Sequence, residues 1–411
     1  MKAVQFVDSI PSYVLSKAVG PFYPPIFYGP LSCLRYRDVP EPSLPGPDWV
    51  KIKVKYGGIC GSDINLIRLH DSPSTSPFAS FPFTMGHENV GTIVEVGENV
   101  KDFAPGDRVV ADPLLPCTTR GFSGEEMCPQ CQRGEYPRCE NFARGNISPG
   151  LMIGACRDTG GSWSECFVAH QFQLFRVPEA VSDEQAIVVD AFCSALHPVM
   201  RNFPRDEDKV LVIGAGIIGL CVVAALRALG SRARVITLAR YPFQGELAER
   251  YGADEVIYAG RGMDYYRAVA ETFGARLYKP ILGKRVMTGG ADVVFECVGS
   301  DDSIDDALRF TRAGGRLVLV GLVGVSKKVD WTPVWFKELT VAGTNSSSAE
   351  RYEGQPVRDY ALALQWLAEG KLDFSPLLTH TFPLSEYKRA IKVNMHKSRH
   401  KAIKTAFLFL H

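Results

Sequence analysis

Several things are scarce in this chain, and each scarcity argues against a class of function. Its 411 residues carry 46 lysines and arginines against 45 aspartates and glutamates, a formal charge of +1. No broad field therefore draws nucleic acid or an anionic membrane to it, and neither is expected as a partner. Apolar runs are short: the longest, 217–226, is far below the length that crosses a bilayer. Asp8 and Pro11 interrupt the start of the chain before a signal-like apolar stretch develops. Internal repeats and low-complexity tracts are lacking as well. The 11 cysteines are odd in number and follow no secretion signal. That argues against a disulfide framework and for free thiols and metal ligands in a reducing, cytoplasmic compartment.

What is present is an ordinary globular composition, 46% apolar and 22% charged. The length suits two domains, or one domain with a large insertion. The most informative stretch is Lys209-Val-Leu-Val-Ile-Gly-Ala-Gly-Ile-Ile-Gly-Leu220. Residues 210–213 have the composition of a strand buried on both faces, and 220–229 continue as an apolar helix that Gly230 can close. Between them Gly214, Gly216 and Gly219 stand in G-x-G-x-x-G spacing. The first makes a tight turn, the second admits a pyrophosphate to the backbone, and the third lets helix pack on strand. Ile217 and Ile218 open the helix, whose free N–H groups favour phosphate charge.

Around this motif the chain alternates strand and helix signals to about residue 343, the punctuation of a parallel sheet. Strands are expected at 234–238, 256–257, 293–297 and 317–320, with helices near 244–251 and 303–312. Before it, residues 50–56 alternate as a half-exposed strand, 90–96 and 107–110 read as further strands, and a helix is expected from Glu184 to about Met200. Residues 11–30 form an aromatic, proline-rich insert that either covers a cleft or subunit contact or is a packed surface loop.

Cys60, His87 and Glu88 lie in two loops at strand ends, within Gly57-Gly-Ile-Cys-Gly-Ser-Asp63 and Met85-Gly-His-Glu88. Thiolate, imidazole and carboxylate together are a donor mix that tetrahedral zinc accepts. With Gly106-Asp-Arg-Val109, the cysteine lobe, the glycine motif and Ala313-Gly-Gly-Arg-Leu-Val-Leu-Val-Gly321, the chain resembles a zinc-dependent medium-chain alcohol dehydrogenase over nearly its full length. The resemblance implies an α/β fold in which a Rossmann domain with a parallel sheet, 191–343, is inserted into a mostly-β GroES-like catalytic domain, 1–190 and 344–411. It implies a homodimer or homotetramer, with the last strand of the nucleotide sheet, near 316–320, at the contact.

By the same resemblance Cys60 and His87 bind a catalytic zinc, and Glu88 either ligates it or lies just behind. The third protein ligand comes from Val189-Asp-Ala-Phe-Cys-Ser-Ala-Leu-His197. Spacing to His197 favours Asp190, with Cys193 as its rival. Zinc in that place is a Lewis acid that holds the substrate oxygen while hydride passes to the nicotinamide. Ser62 stands at the family's relay hydroxyl. The relay histidine five residues after the cysteine is Asn65 here, which does not titrate near neutrality. Proton exit is then expected through ribose hydroxyl and water, or through His70.

The lobe departs from the pattern too. Cys128, Cys131 and Cys139 fit the tail of a C-x2-C-x2-C-x7-C structural zinc motif, but Glu125 stands where its first cysteine belongs. Cys117 can supply the fourth thiolate through a longer loop. The dinucleotide strand also lacks something: about 20 residues past Gly219, where an NAD-type domain carries an acid, the chain has Ala239, then Arg240 and Tyr241. Arg240 suits a 2′-phosphate and Tyr241 can stack on adenine, so NADP(H) is expected ahead of NAD(H). Val298 and Gly321 complete the expected cofactor contacts. The expected activity is reversible oxidation of a small alcohol, or reduction of a ketone or aldehyde. A zinc-free enoyl or quinone reductase of the same superfamily and a non-catalytic dinucleotide-binding protein are the alternatives.

Overall fold

The alternation Val-Lys-Ile-Lys-Val-Lys-Tyr becomes the strand Trp49–Ile59, in which Val50, Ile52, Val54 and Tyr56 are buried while Lys53 and Lys55 face solvent. Each such buried aliphatic side chain stabilises the fold by roughly 1.5–3 kcal/mol. This strand is the spine of one of the two units in the computed structural model, which describes residues 1–260, 263–322 and 324–410. That unit comprises Met1–Asp190 and Ser346–His411; the other is Ala191–Asn345.

In the first unit a seven-stranded sheet runs in the order Leu378–Phe382, Lys404–Leu408, Trp49–Ile59, Asn89–Val96, Arg108–Ala111, Leu174–Arg176, with Cys166–His170 also paired to Trp49–Ile59. Pairing is antiparallel except between the two C-terminal strands. A smaller sheet joins Leu34–Asp38, Lys2–Phe6 and Phe83–Thr84. Lys404–Leu408 thus lies beside Trp49–Ile59, with Thr405 opposite Ile59. This register carries Lys404 to the strand end from which Cys60 departs.

The second unit holds a six-stranded parallel sheet in the order Glu255–Tyr258, Arg234–Ala239, Lys209–Ile213, Ala291–Glu296, Thr311–Leu319, Thr340–Gly343. Counted along the chain this is 3-2-1-4-5-6, the dinucleotide-binding order, whose switch point falls between Lys209–Ile213 and Ala291–Glu296. The strand near 316–320 is therefore not the outermost one. Thr311–Leu319 is covered by Thr340–Gly343, which forms the edge.

Two expectations need correction. The segment from Glu184 is two helices, Asp183–Ala186 and Val189–Arg201. The insert at 11–30 is not simply a loop. It contains the helix Ile10–Val19, whose N-cap Ser9 accepts from Ser12 N and whose Pro11 sits in the first turn. Proline is at home there because the first N–H groups of a helix lack intrahelical acceptors. Its Lys17 Nζ donates to the Leu69 carbonyl, fixing the helix beside the end of Gly61–Ile67.

Candidate active site and cysteine lobe

Cys60 ends the spine strand and caps the helix Gly61–Ile67. Its backbone N–H donates to Asp63 Oδ2 at 2.9 Å, and the other Asp63 oxygen faces His87 Nδ1 at 3.6 Å. Asp63 thus orients both the cysteine loop and the imidazole. Burial opposes protonation of His87, yet Asp63 and Cys60 hold its pKa well above the ordinary imidazole value.

Glu88, next along the chain, is fully enclosed. Its backbone carbonyl accepts from Gly58 N at 3.0 Å and from Ser162 Oγ at 2.7 Å, and a Cβ at Gly58 would stand 2.2 Å from Glu88 Oε2. Only glycine leaves room there for the carboxylate. Trp163 Nε1 donates to the Gly58 carbonyl at 2.9 Å and fixes the same turn. Lys404 forms an ion pair with Glu88 Oε2.

One donor atom each from Cys60, His87 and Glu88 lies within 4.8 Å of the others. Sulfur, imidazole nitrogen and a buried carboxylate oxygen converging on one point fit a zinc ion. Asp190, expected as third ligand, stands outside that set. Its carboxylate accepts from the Tyr360 hydroxyl, while burial pushes its pKa up to about 6 against the opposing pull of His87. The carboxylate that joins Cys60 and His87 is that of Glu88. Cys193 is buried on the same helix, in the other unit. Lys404 and Tyr360 were not among the expected site residues; the strand run Lys404–Leu408 and the apolar helix Asp359–Ala368 carry no local signal of a site.

Ser62 lies in the first turn of Gly61–Ile67 and Asn65 one turn on, three residues apart and on one face. His70 is exposed, and its backbone N–H donates to the Asn65 carbonyl at 2.8 Å.

In the lobe Cys117, Cys128, Cys131 and Cys139 are all buried with their sulfurs within 4.8 Å of one another. Donors point at the sulfurs: Cys128 N and Asn141 Nδ2 at Cys117 (3.3 and 3.2 Å), Glu140 N at Cys128 (3.4 Å), Asn141 N at Cys139 (3.3 Å). Hydrogen bonds of this kind stabilise thiolates, so the set fits a closed four-sulfur zinc site. Glu125 lies exposed in the turn Gly124–Glu126, outside the cluster.

In the nucleotide unit Gly214 has φ +96°, a conformation costly for any residue with a Cβ. A Cβ on Gly219 would stand 1.8 Å from the Gly214 carbonyl, so the third glycine is set by helix–strand packing. Gly216 has nothing within 4 Å of its Cβ position, leaving approach to the backbone open beside Ile217 and Ile218. Across the switch point Glu296, buried, accepts from Val298 N at 2.9 Å and Gly299 N at 3.0 Å. That fold-back presents Val298, 53% exposed, above Gly214, and Gly321 packs on the same turn. Ala239 is buried at its strand end; Arg240 is exposed, with its guanidinium 5.7 Å from the Tyr241 ring. Tyr241 stacks on Phe243 at 5.9 Å.

Residues 46–179 match the alcohol dehydrogenase GroES-like domain and residues 218–368 the zinc-binding dehydrogenase domain. L-idonate 5-dehydrogenase of Vitis vinifera is 31% identical over 350 residues, 84% of this chain and 83% of that protein. The chain belongs to the zinc-type medium-chain dehydrogenase/reductases. L-threonine 3-dehydrogenase of Paraburkholderia phytofirmans is 30% identical over 358 residues, 87% of this chain and 91% of that protein. The structure of 2R,3R-butanediol dehydrogenase from Bacillus subtilis superposes with TM-score 0.70 at 25% identity, covering 100% of this chain and 99% of that one. This medium-chain dehydrogenase is accordingly a nicotinamide-dependent oxidoreductase acting on alcohols, with zinc and a nicotinamide as its cofactors. The zinc-free reductase and the non-catalytic binder are not favoured. No helix among the described residues is long and apolar enough to cross a membrane.

Proposed function

We propose that this enzyme oxidises a small polyhydroxylated or vicinally substituted secondary alcohol, or reduces the matching ketone, with NADP(H) as its preferred cofactor. Convergence of the Cys60, His87 and Glu88 donor atoms within 4.8 Å carries the reading. These three residues hold the catalytic zinc, and a zinc ion there supplies Lewis-acid polarisation of a substrate oxygen. Asp63 keeps the imidazole aligned, and Ser62 takes the substrate proton and passes it toward solvent. Asn65, one turn further, orients the accepting water or ribose hydroxyl without titrating. The substrate class is supported by the names of the similar proteins, which cover a sugar acid, a hydroxy amino acid and a vicinal diol.

NADP(H) preference rests on Arg240, an exposed guanidinium directly after the buried Ala239. The 2′-phosphate meets an arginine fork there, and Tyr241 stacks near the adenine. Gly214, Gly216, Gly219 and the N-terminus of helix Ile217–Ala228 take the pyrophosphate, with Val298 and Gly321 nearer the nicotinamide. Cys117, Cys128, Cys131 and Cys139 hold a second, structural zinc. The position of Thr340–Gly343 at the edge of the parallel sheet, with the exposed Trp331, Trp335 and Phe336 just before it in the chain, supports a homo-oligomer. Eleven free thiols support a reducing, cytoplasmic setting. The test is a panel of vicinal diols, sugar acids and hydroxy amino acids assayed with NADP+ and NAD+. Highest kcat/KM on one of these with NADP+ supports the reading; activity confined to simple primary alcohols with NAD+ contradicts it.

A further inference from the structure

We propose that Tyr360 is a positioning residue for the metal site: its hydroxyl holds Asp190 behind the Cys60, His87 and Glu88 set, so that the ion keeps one coordination position for substrate. This rests on the reading of those three residues as the catalytic ligands. Zinc in a catalytic site takes three protein donors and leaves a position open, whereas four protein donors close it. Two carboxylates compete for the third place here, since Asp190 is close enough to interact electrostatically with both His87 and Glu88. Glu88 is among the converging donors and Asp190 is not. What occupies Asp190 is the Tyr360 hydroxyl, which donates to its Oδ1.

Tyr360 is not free to drift. It is buried near the start of helix Asp359–Ala368, and its ring stacks on Phe175 with centroids 5.2 Å apart and planes 21° apart. The Arg358 guanidinium lies 5.0 Å from the same Phe175 ring and donates to Asp112 at 2.8 Å, which pins the turn that launches the helix. Asp190, in the first turn of helix Val189–Arg201, has its backbone fixed by the helix, so only its two side-chain torsions can redirect the carboxylate. A rigid donor therefore decides where a mobile carboxylate points. Phenylalanine at 360 keeps the ring stack and removes only the hydroxyl, freeing Asp190 to turn to the metal and fill the open position.

The experiment loads cobalt(II) in place of zinc into the purified full-length chain. The d–d spectrum is taken as a difference against Cys60→Ala, which removes the contribution of the cysteine lobe. Asp190→Asn should leave the wild-type difference spectrum unchanged. Tyr360→Phe should shift it and lower kcat by about 10- to 100-fold, the usual effect of losing a partner that orients a metal site. Tyr360→Phe combined with Asp190→Asn should restore the wild-type spectrum. A spectrum that changes in Asp190→Asn alone makes Asp190 a direct ligand and overturns the inference; so does one that Tyr360→Phe leaves untouched. If Tyr360→Phe does not fold, the Asp190→Asn comparison decides. A wild-type chain indistinguishable from Cys60→Ala defeats the metal reading itself.

Discussion

Lys404 and Glu88 form an ion pair in which both side chains are 1% exposed, one from the last strand of the chain and the other from the turn after Gly86. Burying an isolated charge is costly, and removing one member of such a pair strands the other. The Glu88 carboxylate needs a cation beside it, and the closest in the metal-free protein is the Lys404 ammonium, with Lys397 and His87 also nearby; a metal ion at the Cys60–His87 point would be a further one. Lys404→Met should therefore destabilise the metal-free protein by about 3–5 kcal/mol. Zinc should recover more of that loss than it adds to the wild type. Thermal melts with and without chelator measure this; an equal zinc-induced rise in Tm in both proteins contradicts the pairing argument.

The four lobe cysteines should hold one zinc per chain. Cys117→Ser should lower bound zinc by one equivalent and cost stability, because the lobe has only a small apolar cluster of its own. Glu125→Ala, at an exposed position, should change neither. Elemental analysis with melting curves separates the two outcomes.

In the proposed NADP(H) site, Arg240→Ala would remove a charge-assisted contact to the 2′-phosphate worth about 1.5–3 kcal/mol, or one to two decades of affinity. KM for NADP(H) should rise by that factor while KM for NAD(H) stays nearly constant. Equal changes for both cofactors would place Arg240 at the pyrophosphate or remove it from the site.

Asp71 lies just past the helix that bears Ser62, and burial with the nearby Asp63 charge pushes its pKa up to about 6 from 3.8. A carboxyl whose pKa is raised on folding binds its proton more tightly in the native state. Its contribution to stability falls as pH climbs from 3.8 to about 6 and stays low above that range. Asp71→Asn should raise Tm above pH 6 and leave it unchanged below the ordinary carboxyl value. A constant Tm difference across that range contradicts the assignment.

Legibility from sequence followed locality. The glycine motif is read from its strand-to-helix context, while Cys60 with Ser62 and His87 with Glu88 are each contained within a few residues and were marked by the family resemblance. The spacing around His197 brought Asp190 to the site's neighbourhood but could not say that Tyr360 holds it, since that hydrogen bond joins residues 170 apart. Lys404 was invisible for the same reason: only the register of the C-terminal strand against Trp49–Ile59 delivers it. The helix Ile10–Val19 was missed because residues 11–30 read as an aromatic, proline-rich insert, whereas Pro11 after the Ser9 cap sits where a helix accepts proline. The outermost strand of the nucleotide sheet was misplaced because Thr340–Gly343 is short and only half-buried, with none of the apolar density of the inner strands.

The central claim is that Cys60, His87 and Glu88 hold the zinc on which alcohol oxidation depends. Its most direct test is turnover of a vicinal diol with NADP+ by the as-purified enzyme, by the chelated enzyme after zinc is restored, and by Cys60→Ala, with metal content measured on each. Activity that vanishes with the metal, returns with zinc, and is absent in a folded Cys60→Ala lacking one zinc equivalent is the predicted result. Undiminished turnover in folded Cys60→Ala, or in wild type stripped of its metal, would contradict it.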